Sequence, residues 1–299
     1  MVTIDKIFHA SVVLKDIIRP TPLAKAYGIA EDCKLYLKPE CLQKTGSFKL
    51  RGSGYKIAML SEEEKARGVI ACSAGNHAQG VALAASKCGI SSLICLPDTA
   101  PISKVEATKG YGAQVCLVPG VYDDAYNRAL ELKEERGYTF VHPFDDEYVI
   151  SGQGTIGLEI MNEMSDVDAV IVPIGGGGLI SGVACAIKSI SPHVKVYGVQ
   201  AAGAPSMFNA VNHGHMEALE KVSTIADGIA VKKPGEITYE MVKNYVDDIA
   251  LVTEDEIAAA ILALIEKQKM IAEGAGAVSV AAAMFHKFPI EGKKVVSLI

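Results

Sequence analysis

The chain has 299 residues, 49% hydrophobic and 21% charged, which is ordinary for a globular protein with a substantial core. Its formal net charge is −6, with Lys and Arg scattered among the acids and no basic run, so the footprint of a nucleic-acid binder is missing. The N-terminus "MVTIDKIFHA" carries early charges and no apolar core, and no run approaches the roughly 20 apolar residues of a membrane span, so a cytoplasmic protein without membrane partners is expected.

Along the chain, short β-branched runs alternate with segments of helical spacing. "KTGSFKLRGSG" (44–54) reads as turn-rich and is followed by the runs "VIACS" (69–73), "SLICL" (92–96) and "QVCLV" (114–118). "DDEYVISGQGTIG" (145–157) reads as a second turn-rich stretch, so that the two bracket three strand–helix units and mark the crossings between two lobes. Further runs are "VIVPI" (170–174), "VKVYGV" (194–199), "IALV" (249–252) and the final "KKVVSLI". Thr253 ahead of Glu254, Asp255 and Glu256 offers a capping box for the helix "TEDEIAAAILALIEKQ", with Ile257, Ile261, Leu264 and Ile265 on one face. Repeated strand-then-helix units predict a doubly wound α/β fold with parallel sheets. The seven cysteines (33, 41, 72, 88, 95, 116, 185) include no Cys-x-x-Cys pair and read as reduced core residues.

Three segments carry the chemistry. Lys49 stands between Phe48 and small polar residues; it is either a solvated charge or a nucleophile in a prepared pocket. "ACSAGNHAQG" places Ser73, Ala74, Gly75, Asn76 and His77 after a strand and before a helix, where an anion such as a carboxylate can be held. Asn76 can also donate to a ring hydroxyl or phenolate. His77 is either a base or a structural hydrogen-bonder at a helix start. In "VIVPIGGGGLISG" a buried strand runs into Gly175, Gly176, Gly177 and Gly178, then Leu179 and a helix. Four consecutive glycines are costly in backbone entropy, and the return is either a loop of N–H groups that bind a phosphate or a tight strand–helix turn. Neither the dinucleotide spacing nor a Gly-Lys-Ser/Thr follows, so a nucleotide is disfavoured. A reactive lysine, a phosphate loop and a carboxylate loop together are the parts of a pyridoxal phosphate site. The lysine must lose its proton to react with the cofactor aldehyde, a bias of about three pH units from a free lysine, on the order of 4–5 kcal/mol.

The chain resembles the type II pyridoxal-phosphate enzymes, in the threonine/serine dehydratase and serine racemase branch. The resemblance rests on "RPTPL" (19–23), "KTGSFKLRG" (44–52), "ACSAGNHAQG" (71–80), "SGQGTIGLEI" (151–160), "VPIGGGGLISG" (172–182), "ADG" ending at Gly228, and "EGAGA" (273–277), in the family's order. It is most similar to biodegradative threonine ammonia-lyases. This implies the two-lobed tryptophan-synthase-β-like fold, with a large domain of residues 1–44 and 150–299 and a small one of 45–149 that closes over the substrate. It implies that Lys49 carries the cofactor and then acts as the base, with Phe48 beside it. Asn76 would bond the phenolic oxygen, residues 175–178 and Leu179 would hold the phosphate, and Ser73, Ala74, Gly75, Asn76 and His77 would frame the substrate carboxylate. The implied reaction turns L-threonine into 2-oxobutanoate and ammonia, and L-serine into pyruvate, in a homodimer or homotetramer serving amino-acid catabolism or isoleucine biosynthesis.

A racemase in this family has a serine where Ala74 stands, and carboxylates for a divalent metal where Gln200 and Ser206 stand, so elimination without a metal is expected. The family also continues its last strand with "SGGN", whose serine bonds the pyridine nitrogen; here the residues end at Ile299, and Ser297 lies within the strand. A truncated or incompletely represented chain is therefore expected, with the final apolar strand leaving an edge or a helix-docking face uncovered. The alternatives are a serine racemase-like enzyme, an impaired cofactor-binding module and, against the failed fingerprint, an NAD-dependent oxidoreductase.

Overall fold

A computed structural model describes all 299 residues. Helix α1 (Ile4–Val13) starts at Thr3, whose Oγ1 accepts from the Lys6 amide, and is followed by strands β1 (Ala24–Lys25) and β2 (Lys34–Lys38). Next come α2 (Lys49–Ala58), α3 (Glu62–Arg67), β3 (Val69–Cys72), α4 (Asn76–Lys87), β4 (Ser92–Pro97), α5 (Ile102–Gly110), β5 (Gln114–Val118), α6 (Tyr122–Arg136) and β6 (Thr139–Phe140). The remainder runs α7 (Glu147–Glu163), β7 (Ala169–Pro173), α8 (Gly178–Ile190), β8 (Lys195–Ala201), α9 (Ser206–His213), α10 (Glu236–Tyr245), β9 (Asp248–Val252), α11 (Glu254–Ala263), α12 (Gly274–Met284) and β10 (Lys294–Leu298). None of the helices is long and apolar enough to cross a membrane.

The strands form two sheets, ordered β5-β4-β3-β6 and β1-β2-β10-β7-β8-β9, parallel throughout except for the β1–β2 pair. β7 is buried on both faces, as a continuous apolar run in a parallel sheet should be. Ala169 and Ile171 face a core shared with α11 and α12, while Val170 and Val172 face one shared with α7 and α8. In the smaller sheet, Ile70 and Leu93 pack on α6, and Val69, Ala71 and Ile94 pack on α2 and α4.

Four expectations need correction. The two turn-rich stretches are largely helix, because they hold α2 and the first part of α7. Their glycines serve close helix approach: a Cβ on Gly152 would sit 2.4 Å from the Arg51 carbonyl oxygen, and one on Gly182 of α8 would sit 2.2 Å from that of Ile150. Such contact offsets the roughly 1 kcal/mol that each glycine costs a helix. The final strand leaves no edge open, since β10 lies between β2 and β7. The Thr253 capping box forms, with Thr253 N donating to Glu256 Oε2 at 2.8 Å, but the helix widens to a π-turn over Leu264–Gln268 and leaves Ile265 exposed. Cysteines 72, 95 and 185 are buried, whereas Cys88 is exposed where α4 ends.

Candidate active site

β3 and β7 both end at a cavity of about 470 Å³ lined from both sheet units. Ligands in open parallel sheets bind beyond the carboxyl ends of strands, and the two segments that follow β3 and β7 are the Ser73–His77 turn and the glycine loop.

Lys49 is the first residue of α2, with its backbone N–H on Ser47 Oγ at 3.3 Å. Its Nζ donates to the Pro143 carbonyl at 3.0 Å and lies 5.1 Å from the centre of the Phe48 ring. Burial pulls the amine down to about 8, against the opposing pull of the Glu273 carboxylate. The position at a helix N-terminus acts in the same direction as burial, since the dipole disfavours a cation there. Lys49 is thus half-buried in the wall of the cavity and not a fully solvated charge.

Asn76 opens α4, and its Nδ2 donates to Glu273 Oε1 at 2.8 Å. Ser73 Oγ accepts from the Gly75 amide at 3.1 Å, which shapes the turn; Ala74 and Gly75 also line the cavity. A Cβ on Gly75 would meet nothing within 4 Å, so a larger residue there would project into free space of the cavity rather than into a wall. His77 lines the cavity too, and its Nε2 lies 2.8 Å from the Val141 carbonyl, so this nitrogen carries the proton and donates. Burial, reinforced by nearby Lys49, holds its imidazole down to about 3. The Nε2 bond joins the start of α4 to the segment after β6.

The glycine loop leads from β7 into α8. Gly177 has φ +97°, the left-handed region that favours glycine, and a Cβ there would sit 2.7 Å from Met207 Cε and from Thr238 Cβ. Thr238 Oγ1 donates to the Gly176 carbonyl at 2.6 Å, and Asp145 accepts from the amides of Glu236, Ile237 and Thr238 at 3.0, 3.0 and 3.2 Å. The carbonyl side of the loop is thus anchored through α10. No intramolecular hydrogen bond is donated by the N–H groups of Gly175, Gly176 or Gly177, and Gly178 and Leu179 begin the first turn of α8. Such a set of free amides at a helix N-terminus fits a phosphate, and with the Lys49 amine across the cavity the donor set fits a phosphate-bearing aldehyde.

Gln200 has a structural task, with Nε2 donating to the Ile174 carbonyl at 3.3 Å and Oε1 accepting from Phe208 N at 2.8 Å. Pro143, Phe144, Lys104, Asp227 and Glu273 also line the cavity, and the sequence pattern assigns none of them a role. Asp227 and Glu273 fall within the motifs "ADG" and "EGAGA", the second setting an acid directly before a Gly-Ala helix start.

A family profile described as pyridoxal-phosphate dependent enzyme matches residues 14–299. The chain is 54% identical over 301 residues to the L-threonine ammonia-lyase of Thermotoga maritima, covering 100% of this chain and 75% of that protein. Among solved structures it is similar to the processed form of threonine deaminase isoform 2 from Solanum lycopersicum, with TM-score 0.93, 39% identity and coverage of 98% and 88%. It is likewise similar to maize serine racemase, with TM-score 0.96, 35% identity and coverage of 100% and 92%.

Proposed function

The chain belongs to the pyridoxal-phosphate-dependent enzyme family, and on that premise we propose that it is a threonine ammonia-lyase. It removes the β-hydroxyl and the amino group of L-threonine to leave 2-oxobutanoate and ammonia, and converts L-serine to pyruvate in the same way. The observation that carries the reading is the Lys49 amine, set in the wall of a cavity that also presents the glycine-loop amides and pulled by burial below the usual lysine range.

Pyridoxal phosphate, when bound, supplies the electron sink for the pair left at Cα when its proton departs. The chain's own residues do the rest. Lys49 would hold the cofactor through Nζ, and the same atom would take the Cα proton of the substrate. The amides of residues 175–178 and Leu179 hold the phosphate, Phe48 packs beside the lysine, and Asn76 Nδ2 bonds the phenolic oxygen. The turn of Ser73, Ala74, Gly75, Asn76 and His77 holds the substrate carboxylate at the start of α4. Residues 45–149 form the domain that closes over the substrate, and residues 1–44 with 150–299 the larger domain. The protein works in the cytoplasm as a homodimer or homotetramer, without nucleic-acid or membrane partners, in amino-acid catabolism or in supplying 2-oxobutanoate for isoleucine biosynthesis.

The test is an absorption spectrum of the chain with pyridoxal phosphate, followed by L-threonine and assays for ammonia and 2-oxobutanoate. A visible band that is lost in Lys49→Ala, together with both products, is the expected result. No band with cofactor in excess would overturn the reading. Racemisation of serine is the second reading, favoured by the likeness to maize serine racemase. Ala74 speaks against it, because a methyl group cannot carry a proton to the opposite face of the substrate. Formation of D-serine faster than pyruvate would establish it.

A further inference from the structure

Lys49 and Arg51 stand two residues apart on α2, so their side chains leave the helix on nearly opposite sides. Lys49 faces the cavity, and Arg51 points into the interior with no exposed surface. Its Nε and Nη2 donate to the two Glu40 carboxylate oxygens, each at 2.8 Å. Nη1 donates to Glu159 Oε1 at 2.6 Å and to Thr155 Oγ1 at 3.1 Å, and Nη2 to Glu159 Oε2 at 3.0 Å. The guanidinium has five donors, and these contacts engage all of them. Thr21 Oγ1 donates to Glu40 at 2.6 Å and Lys38 Nζ to Glu159 at 2.7 Å, so each carboxylate is fixed in turn.

Glu40 lies 11 residues before Arg51, and the segment between them carries Ser47, Phe48 and Lys49. The bidentate pair therefore closes both ends of that segment, while Glu159 and Thr155 join it to α7. α2 itself lacks a side-chain N-cap, since Phe48 occupies that position without a side-chain hydrogen bond. Ion pairs buried this deeply are weak sources of stability, because desolvation offsets much of their attraction. Geometry is the better account of what they provide.

We propose that Arg51 is a positioning residue for Lys49, pinning the first turn of α2 to Glu40 and α7 so that the amine is held in the cavity. The inference rests on Lys49 being the cofactor-bearing residue. Burial works against the Arg51 cation, but Glu40 and Glu159 more than offset it and the guanidinium stays charged. Burial likewise pushes Glu159 up, and the Arg51 contacts followed by Lys38 bring it below the usual carboxylate range. Arg51 and Glu159 are thus paired as ions at neutral pH. The charged and titratable groups that influence the Lys49 amine are Glu273 before α12, His77 on α4 and His142 after β6, both imidazoles being pulled down by burial. Arg51 leaves α2 on the side away from the cavity, so its replacement acts on Lys49 through position.

The experiment compares Arg51→Lys and Glu159→Gln with Lys56→Met, which removes a 2.7 Å ion pair to Asp146 that joins the same two helical segments farther along α2. In the cofactor-free protein, acetic anhydride labelling of Lys49 is followed against pH by peptide mass spectrometry. In the loaded protein, kcat and KM for L-threonine are measured separately, and melting temperature is recorded for all. Arg51→Lys and Glu159→Gln should raise the labelling midpoint by about one pH unit as the amine gains water, and lower kcat by about 100-fold with KM little changed. Lys56→Met should lower only the melting temperature. Clamp variants that melt lower yet label and turn over like the wild type would reduce Arg51 to structural support and overturn the proposal. If Arg51→Lys does not fold, Glu159→Gln, which keeps the shape of the side chain, decides. A wild type without a visible cofactor band would sink the assignment of function, while the labelling would still test the clamp.

Discussion

Asn76 Nδ2 donates to Glu273 Oε1 at 2.8 Å, which ties the start of α4 in the smaller sheet unit to the start of α12 in the larger. Lys104 and Asp227 form a second link across the same cavity at 3.3 Å. Burial and then Asp227 push the Glu273 carboxyl above the usual range, while the Asn76 bond and Lys104 pull it down.

Replacing Glu273 by Gln keeps an acceptor for Asn76 and removes the charge that holds the Lys49 amine up. The Lys49 labelling midpoint in the cofactor-free protein should therefore fall below that of the wild type. A midpoint that rises would refute the link. Stability gives an independent readout. A carboxyl raised in the folded state binds more protons there than in the unfolded chain, so stability falls as pH climbs from the ordinary carboxylate range through the raised value. Urea unfolding should show that fall in the wild type and a smaller one in Glu273→Gln.

Lys49 itself carries a stability cost with the opposite slope. Its pKa drops from 10.5 to about 8 on folding, so the unfolded chain binds more protons between those values and stability rises with pH across that window. Below about 8 the cost is constant, at most on the order of 3 kcal/mol by the conversion from pKa units. Lys49→Met, without cofactor, should unfold at a higher temperature than the wild type at pH 7, with the difference closing as the pH passes 10. An equal melting temperature at pH 7 would mean that the amine is hydrated.

The parts of the site that lie within a single loop are legible in the sequence. Lys49, Asn76 and the four glycines each sit in a local pattern whose chemistry does not depend on distant residues. Arg51 and Glu273 sit in quoted motifs too, but their tasks are opaque there, because their partners lie at Glu40, Glu159 and Asn76, across turns and helices that only the folded chain brings together. The helical character of α2 and α7 is hidden for a related reason. Glycine is ambiguous between a turn and a close helix contact, and only Gly152 against Arg51 in three dimensions resolves it. β1 and β6 span two residues each, too short for any periodicity to register.

Gly177 offers a test of the phosphate loop. Alanine there would have to adopt φ near +97° and place its Cβ 2.7 Å from Thr238 Cβ, which is fixed because Thr238 Oγ1 donates to the Gly176 and Gly235 carbonyls. Strain of this kind costs about 1–3 kcal/mol, and the loop amides that it displaces are those assigned to the phosphate. Gly177→Ala should lose about that much stability in urea unfolding and bind pyridoxal phosphate at least about tenfold more weakly, equivalent to roughly 1.4 kcal/mol. Lost stability with unchanged cofactor affinity would show that the loop is only a strand–helix turn.

Under the proposed function, Ala74 is the position that tests elimination alone against elimination with racemisation. It lines the cavity between Ser73 and Gly75, at the turn assigned to the substrate carboxylate, and its methyl group packs against the core of the smaller sheet unit. A proton taken from one face of Cα can be returned on the other only if an acid stands there, and the Ala74 methyl group cannot be one. Ala74→Ser adds one oxygen to a turn whose backbone conformation serine readily adopts, so the fold should hold. Serving L-serine to this variant and separating the products by chiral chromatography should show D-serine where the wild type yields pyruvate alone. Pyruvate formation should persist, since Lys49 and the route of the leaving hydroxyl are untouched. D-serine from the wild type itself would mean that a proton reaches the far face from water, and the assignment of that step to residue 74 would fail.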